Sequence, residues 1–508
     1  MIKKERNHLA FSTQIFVFCF FPAVLAGYGL AELLERKTAW STFLRKYRVR
    51  DLILVGFSLV FFGWACFDGV FQLAEYVLAI YLAGRAIGWL QREKPFLRLY
   101  REQNPDAEPM RLRLSPVFFT AAVVLTVGLL VYFKYYNFLG ELFHSVLRTS
   151  FEEKEILAPL GISFLTFSAI SYLTDLYRGQ AGGRNLLDCA LYLTFFPKVV
   201  SGPIVLWKEF EPQICGRATH LDQVTEGINR MILGFAKKVI LADQFGACLA
   251  TISYQEIDAV TAAMTVLLYS LQLYYDFAGY SDIAIGLSKF FGFEVQDNFR
   301  FPYRSKSIGE FWRRWHISLG AWFREYLYFP LGGSRGTLRR TLVNLSVVFL
   351  VTGIWHGAAW HYVLWGCLNG LAVVIERVIQ DRPFYRRTPG WVRYAVTMVL
   401  VAYFWQLFRF ETMAEVNECL GIALGLIRFD RIGYSWRYYF DLRLLVLTAV
   451  GVVGATVLGS PKLKQQWQRF STHAAGYALQ ELGLLVLFGI SLLFLVNSTY
   501  SPFLYFQY

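Results

Sequence analysis

The chain has 508 residues, of which 56% are hydrophobic and only 17% charged, where a soluble domain carries about 25%. Apolar segments recur from end to end, which excludes a string of soluble domains and predicts one integral-membrane domain over 1–508. The formal net charge of +13 lies in short loops between those segments, where the positive-inside bias puts it, so acidic lipid headgroups rather than nucleic acid are the expected counter-charge.

Basic residues precede the first apolar run, as in a signal peptide. The run is long and no small-x-small site closes it, so a retained helix is predicted at 12–31. The basic loop 36–50 belongs inside and leaves the N-terminus outside, against the pull of Lys3, Lys4 and Arg6. Two runs within 52–87 break near Asp68-Gly69 and form a hairpin that returns to a basic stretch, 85–113. Residues 116–136 cross outward to a loop holding Glu141, Glu152, Glu153 and Glu155, and 156–177 return. Within 186–207, Pro197, Gly202 and Pro203 interrupt an apolar run. Pro removes a helical hydrogen bond, and lipid tolerates such a break only where protein or water satisfies the backbone, so a re-entrant or broken segment is expected. Runs at 227–249, 260–275, 277–291, 341–371, 392–407, 444–458 and 477–495 follow. The predicted fold is an all-α polytopic membrane protein of about ten to twelve spanning helices plus re-entrant and interfacial ones. N-terminal helices occupy 12–136, a catalytic core 156–380 and C-terminal helices 392–508. Seven scattered Cys form no CxxC, so buried free thiols are expected, with no disulfide framework and no zinc site.

The stretch 341–371, TLVNLSVVFLVTGIWHGAAWHYVLWGCLNGL, is long enough to span a bilayer, yet it holds Asn344, Thr352, His356 and His361. An ionisable group in such a segment is costly to solvate and is a functional-site hypothesis by default. Burial favours the neutral imidazole, which can accept a proton, so His356, mid-segment between Trp355 and Gly357, is a candidate general base. A purely structural intramembrane histidine is the competing reading. His361 lies on a different face, nearer the segment's end. Upstream, 310–327 read as one helix puts Trp312, Trp315, Leu319, Trp322, Phe323 and Tyr326 on one face and Glu310, Arg313, Arg314, Ser318, Arg324 and Glu325 on the other. That is an interfacial amphipathic helix. Its His316 projects on the aromatic side and reads either as a second site residue or as an interfacial histidine bonded to a backbone carbonyl. Asp276 and Asp282 also sit in apolar sequence, as a carboxylate pair or as groups that hold helix ends or bond Tyr and Arg. No GxSxG, P-loop or HExxH is present, which disfavours serine hydrolase, NTPase and zinc protease chemistry.

In order along the chain stand PLGISFLTFSAISYLTDLYRG (159–179), FFPKVVSGPI (195–204), GFAKKVILAD (234–243), LQLYYDFAGYSDIAIGLSKFFGF (271–293), NFRFPYRSKSIGEFWRRWHISLGAWFREYLYFPLGGSR (298–335) and TGIWHGAAWHYVLWG (352–366). With the opening FSTQIFVFCFFPAVL and the closing SPFLYFQY, these resemble the membrane-bound O-acyltransferase superfamily, and within it the bacterial branch of the alginate O-acetyltransferase membrane subunit. The resemblance implies a many-helix fold around a central tunnel, with His356 as the catalytic histidine and His316 as the usual second one. It places Asn344 where polar residues recur near the site; Trp355, Trp312 and Asp276 complete the candidate substrate-binding set. Relatives often carry a histidine where this chain has Asn369. The implied activity is O-acetyl transfer across the bacterial inner membrane to a cell-surface polysaccharide or exopolysaccharide such as alginate. The donor would be acetyl-CoA or another acyl thioester, no cofactor or metal would be bound, and a periplasmic partner would complete the transfer. D-alanyl transfer to teichoic acid, a non-catalytic acetyl-donor transporter and a scaffold for a polysaccharide synthase are the alternatives.

Overall fold

The computed structural model describes residues 10–37, 41–91, 114–156, 158–183, 185–217, 219–253, 257–429 and 432–497. The expected placement of Lys3, Lys4 and Arg6, most of the basic stretch 85–113 and the closing SPFLYFQY lie outside them. Eight helices among the described residues are long and apolar enough to cross a membrane: Phe16–Arg36, Gly69–Gln91, Leu114–Leu147, Leu338–His356, Trp360–Ile379, Gly390–Arg409, Leu442–Gly459 and Ala474–Asn497. A further apolar helix, Val49–Ala65, joins Gly69–Gln91 through a break at the predicted place. The only pairing of β type among the described residues is an isolated bridge between Ile257 and Tyr434. The chain is an all-α membrane protein.

Contacts divide it into two compact units: Met1–Leu9, Phe18–Ala218 and Phe291–Phe293 in one, Ala10–Val17, Thr219–Phe290 and Glu294–Tyr508 in the other. In the first, the apolar run interrupted by proline folds as expected into two short helices, Leu186–Thr194 and Phe196–Val199, followed by irregular chain. Asn185 caps the former by accepting from the Asp188 amide at 3.0 Å. The irregular backbone is held by protein, as lipid requires. The Ser58 hydroxyl accepts from Phe196 N at 3.1 Å, and Tyr192 donates to Val205 O at 2.8 Å. The rings of Phe195, Phe196, Phe210, Phe291 and Phe293 close over it.

The second unit is built around Ala259–Phe290, a 32-residue helix buried on nearly every face from Leu268 to Lys289. The sequence predicts a break at Asp276. The helix runs straight through it, because the Asp276 carboxylate finds a cation: Lys238 Nζ lies 2.8 Å from Asp276 Oδ1 and 2.6 Å from Asp243 Oδ1. Lys238 comes from a π-helical turn, Ala236–Ala242. Asp282, one and two-thirds turns on, meets Arg230 at 2.9 Å and Lys237 at 2.5 Å. Asp282 thus meets an arginine as expected, whereas Asp276 meets a lysine.

The stretch 341–371 is two helices rather than one. Leu338–His356, capped by Thr337 on the Arg340 amide, stops at His356, and Trp360–Ile379 starts four residues later. Gly357 is extended, and a side chain there would overlap the Tyr362 ring, whose nearest atom would be 2.1 Å from its Cβ. The two helices pack at backbone distance where Gly353 faces Gly366: a Cβ on Gly353 would lie 2.9 Å from Gly366 Cα. His356 thus sits at a helix end, not in mid-span.

Candidate active site

The amphipathic segment 310–327 is also broken. Ser307 caps Ile308–Arg314 by accepting from the Glu310 amide at 3.1 Å, and that helix ends at Trp315. His316 takes a left-handed backbone, φ 44°, and Ile317–Phe323 starts anew, running into a π-helical turn, Arg324–Tyr328. The cause is a partner strand of chain. Arg300 N donates to Arg314 O and Ile317 N to Asn298 O, each at 2.9 Å, so residues 298–300 take backbone groups that a continuous helix would use. The break rotates the second helix, and Ser318, expected on the charged face, is wholly buried.

Asn298 is the residue that sequence reasoning missed. Its Oδ1 accepts from Ser318 N at 3.3 Å and Ser318 Oγ at 3.0 Å, and lies 2.9 Å from His316 Nδ1. Its Nδ2 donates to Ser281 Oγ at 3.0 Å. A backbone N–H can only donate, so the atom facing it is the oxygen, and His316 Nδ1 must carry the proton. The lone pair of the imidazole is then on Nε2. His316 is 2% exposed, and burial pushes its pKa down to about 3. A non-glycine residue in the left-handed region persists only where its surroundings hold it, and such positions cluster at functional sites. The expected backbone-carbonyl partner is a side-chain amide instead.

This sets a pH expectation. Between about 6.5 and 3 the unfolded chain protonates this histidine and the folded one does not, so folding stability falls as pH drops through that window. The slope is up to about 1.4 kcal/mol per pH unit. His316→Asn, which tolerates a left-handed backbone, is expected to melt with a shallower dependence between pH 6.5 and 4 than wild type; parallel curves would refute a neutral buried imidazole.

His356 is 6% exposed and sits in an aromatic cage. Ring centroids of Trp355, Trp365 and Phe408 lie 4.9, 5.1 and 5.1 Å from its own. Trp312 packs 5.6 Å from Trp365. The buried indole Nε1–H groups of Trp312 and Trp365 have no protein acceptor among the described residues; the Trp365 ring touches the imidazole, and Trp312 packs behind Trp365. Trp405 closes the cluster, anchored by donating to Tyr303 Oη at 3.1 Å, and Tyr303 donates on to Ser270 O at 2.6 Å.

The two histidines belong to one cluster but are linked through intervening rings. From His356 the path runs to Trp365, then Trp405 at 6.3 Å, Trp315 at 4.7 Å, Phe299 at 5.0 Å, Phe277 at 5.0 Å and His316 at 4.7 Å. Of the other candidates, Trp355 and Trp312 join this cluster. Asn344 does not: it lies roughly 18 Å from His356 along their helix by its rise per residue. There its Nδ2 donates to Gly333 O at 2.9 Å and Leu331 O at 3.3 Å, gripping the PLGGSR turn. Asp276 is in the Lys238 ion cluster. Asn369 donates to Trp365 O within its own helix at 2.9 Å. His361 starts the helix Trp360–Ile379, its ring 4.0 Å from that of Tyr362.

The sequence model of one family, MBOAT, membrane-bound O-acyltransferase, matches residues 91–410. The chain belongs to this family. It is 33% identical to a probable alginate O-acetylase AlgI of Azotobacter vinelandii, over 98% of this chain and all of that one. A peptidoglycan O-acetyltransferase of Helicobacter pylori is 30% identical over 82% of this chain and 80% of its own length. A teichoic acid D-alanyltransferase of Streptococcus thermophilus is 31% identical over 44% of this chain and 58% of its own. The protein is thus a membrane-bound O-acyltransferase, and the match spans both broken helices and both histidines. By their names, the first acetylates alginate, the second acetylates peptidoglycan and the third transfers D-alanine to teichoic acid.

Proposed function

We propose that this membrane-bound O-acyltransferase moves acetyl groups from a cytoplasmic thioester, acetyl-CoA in the first instance, across the bacterial inner membrane for O-acetylation of a cell-surface polysaccharide. The observation that carries the reading is His356, buried at a helix end and caged by the rings of Trp355, Trp365 and Phe408. His356 takes the proton of an acceptor hydroxyl, whose oxygen attacks the thioester carbonyl. The C–O bond forms as the C–S bond breaks, and the leaving thiolate recovers the proton from the imidazolium. The Trp312 and Trp365 N–H groups are the donors available to the oxyanion. The apolar cage keeps water from the thioester. His316, neutral and with its lone pair on Nε2, serves as a hydrogen-bond acceptor that orients a hydroxyl; it is too weak a base to be an acid reservoir near neutral pH. The full-length likeness to alginate O-acetylases, against partial likeness to the D-alanyltransferase, supports acetate as the acyl group; a periplasmic acetyltransferase would complete the transfer.

Proteoliposomes given a radiolabelled acetyl thioester outside and a small hydroxyl acceptor inside test this. Label recovered as an ester, with free thiol released in equal amount, is expected. Intact thioester accumulating inside, with no thiol released, would make the protein a transporter.

A further inference from the structure

The outer side of the helix pair Trp360–Ile379 and Gly390–Arg409 carries a groove of about 520 Å³ that the chemistry above does not use. Its floor is Leu368, Ala372, Leu400 and Phe404, and its walls include Leu371, Ile375 and Val396, each about half exposed at 53, 48 and 54%. One end is different. Lys306, Tyr385, Thr388 and Arg393 gather there, with Glu376 as the single carboxylate. That carboxylate is engaged: its Oε2 accepts from Gly309 N at 3.0 Å. Arg393 Nε is buried without a hydrogen-bond partner among the described residues, and its guanidinium sits 5.5 Å from the Tyr385 ring.

We propose that this groove holds an acyl chain of an anionic glycerophospholipid from the surrounding bilayer, with its phosphate against Arg393 and Lys306. Three features select that occupant. The first is length. From Leu368 to Ile379 the groove follows about 17 Å of helix, close to the roughly 15 Å depth of one leaflet. The second is charge. A flat apolar helix face takes any lipid; a concave one ending in two cations takes an anion, and a buried guanidinium nitrogen without an acceptor needs an oxygen. A packed helix from a second copy would fill the apolar part and leave Arg393 Nε without an acceptor. The third is level. Residues 382–393, RPFYRRTPGWVR, hold four arginines and no acid, which the positive-inside bias assigns to the cytoplasmic surface, where anionic headgroups concentrate.

A lipid seated there would bear on the site from behind. Phe404, in the floor, precedes Trp405, which packs between Trp315 and Trp365. Ser307, in the rim, caps the helix that carries Trp312.

Native mass spectrometry of the whole purified protein tests this, with phosphatidylglycerol and phosphatidylcholine of identical chains supplied together. Wild type is expected to retain phosphatidylglycerol at least tenfold over phosphatidylcholine, about fivefold coming from each cation. Lys306→Gln with Arg393→Gln is expected to bring the two lipids to parity, and Leu400→Trp to expel both. Where Leu400→Trp does not fold, Val396→Trp at the half-exposed wall makes the same test. Parity in wild type, a preference that survives in the double variant, or lipid retained unchanged with tryptophan in the groove would overturn the proposal. So would displacement of phosphatidylglycerol by a polyprenyl phosphate, which would make that the occupant.

Discussion

Replacing His356 with alanine is expected to lower acetyl transfer by purified protein about 10²–10⁴-fold, the usual contribution of a positioned base, while folding is largely kept. The residue ends Leu338–His356, so its loss removes no helix interior. Gly357 frees the next turn of the chain, and Tyr362 fills the space a side chain there would take. What disappears is one imidazole from among Trp355, Trp365 and Phe408. A cage so apolar cannot lend a substitute base. His356→Gln, which restores a hydrogen-bonding side chain but cannot hold a proton, is expected to be as slow as alanine. A rate within tenfold of wild type in either variant would make the histidine structural.

Replacing Lys238 with methionine is expected to have the largest effect on stability, about 3–5 kcal/mol, because a buried pair broken on one side strands its charge. Here two carboxylates are stranded. Lys238, Asp243 and Asp276 are at most 3% exposed, and both acids bond the one ammonium. The triple change Lys238→Met, Asp243→Asn, Asp276→Asn removes all three charges and is expected to recover most of the loss, as replacing a whole buried ion cluster commonly does. Thermal melting in one detergent is the readout. Asp276→Asn alone separates the ion-cluster role from substrate binding: a lower melting temperature at unchanged KM fits the former, and a raised KM at unchanged melting temperature the latter.

What could be read from the chain and what could not divides on local against tertiary causes. The proline-broken segment and the break at Asp68-Gly69 are local, and they fold where composition puts them; the break read at Asp276 gives way to one helix, because its charge is met from another element. His356 was legible because an ionisable residue in an apolar run is conspicuous. Its place at a helix end was not, since the break is enforced by the Tyr362 ring. The helical wheel over 310–327 failed at Trp315 for a similar reason. Residues 298–300 take the backbone groups that would have carried the helix on, and no periodicity within the helix reports a partner outside it. Asn298 had one faint signal, an amide side chain in a basic-aromatic loop. Lys238 had a clearer one: a lysine pair followed by Asp243 in an otherwise apolar run, with Asp276 isolated in the next. Two lone opposite charges in neighbouring apolar runs are each other's cheapest partners.

The role of His356 is decided by the O-acetyl content of the cell-surface polysaccharide in cells carrying wild type or His356→Ala, with the protein present in equal amounts in the membrane. Acetylation in His356→Ala cells is expected to fall to the level of cells lacking the protein. Acetylation at the wild-type level in His356→Ala cells would contradict it.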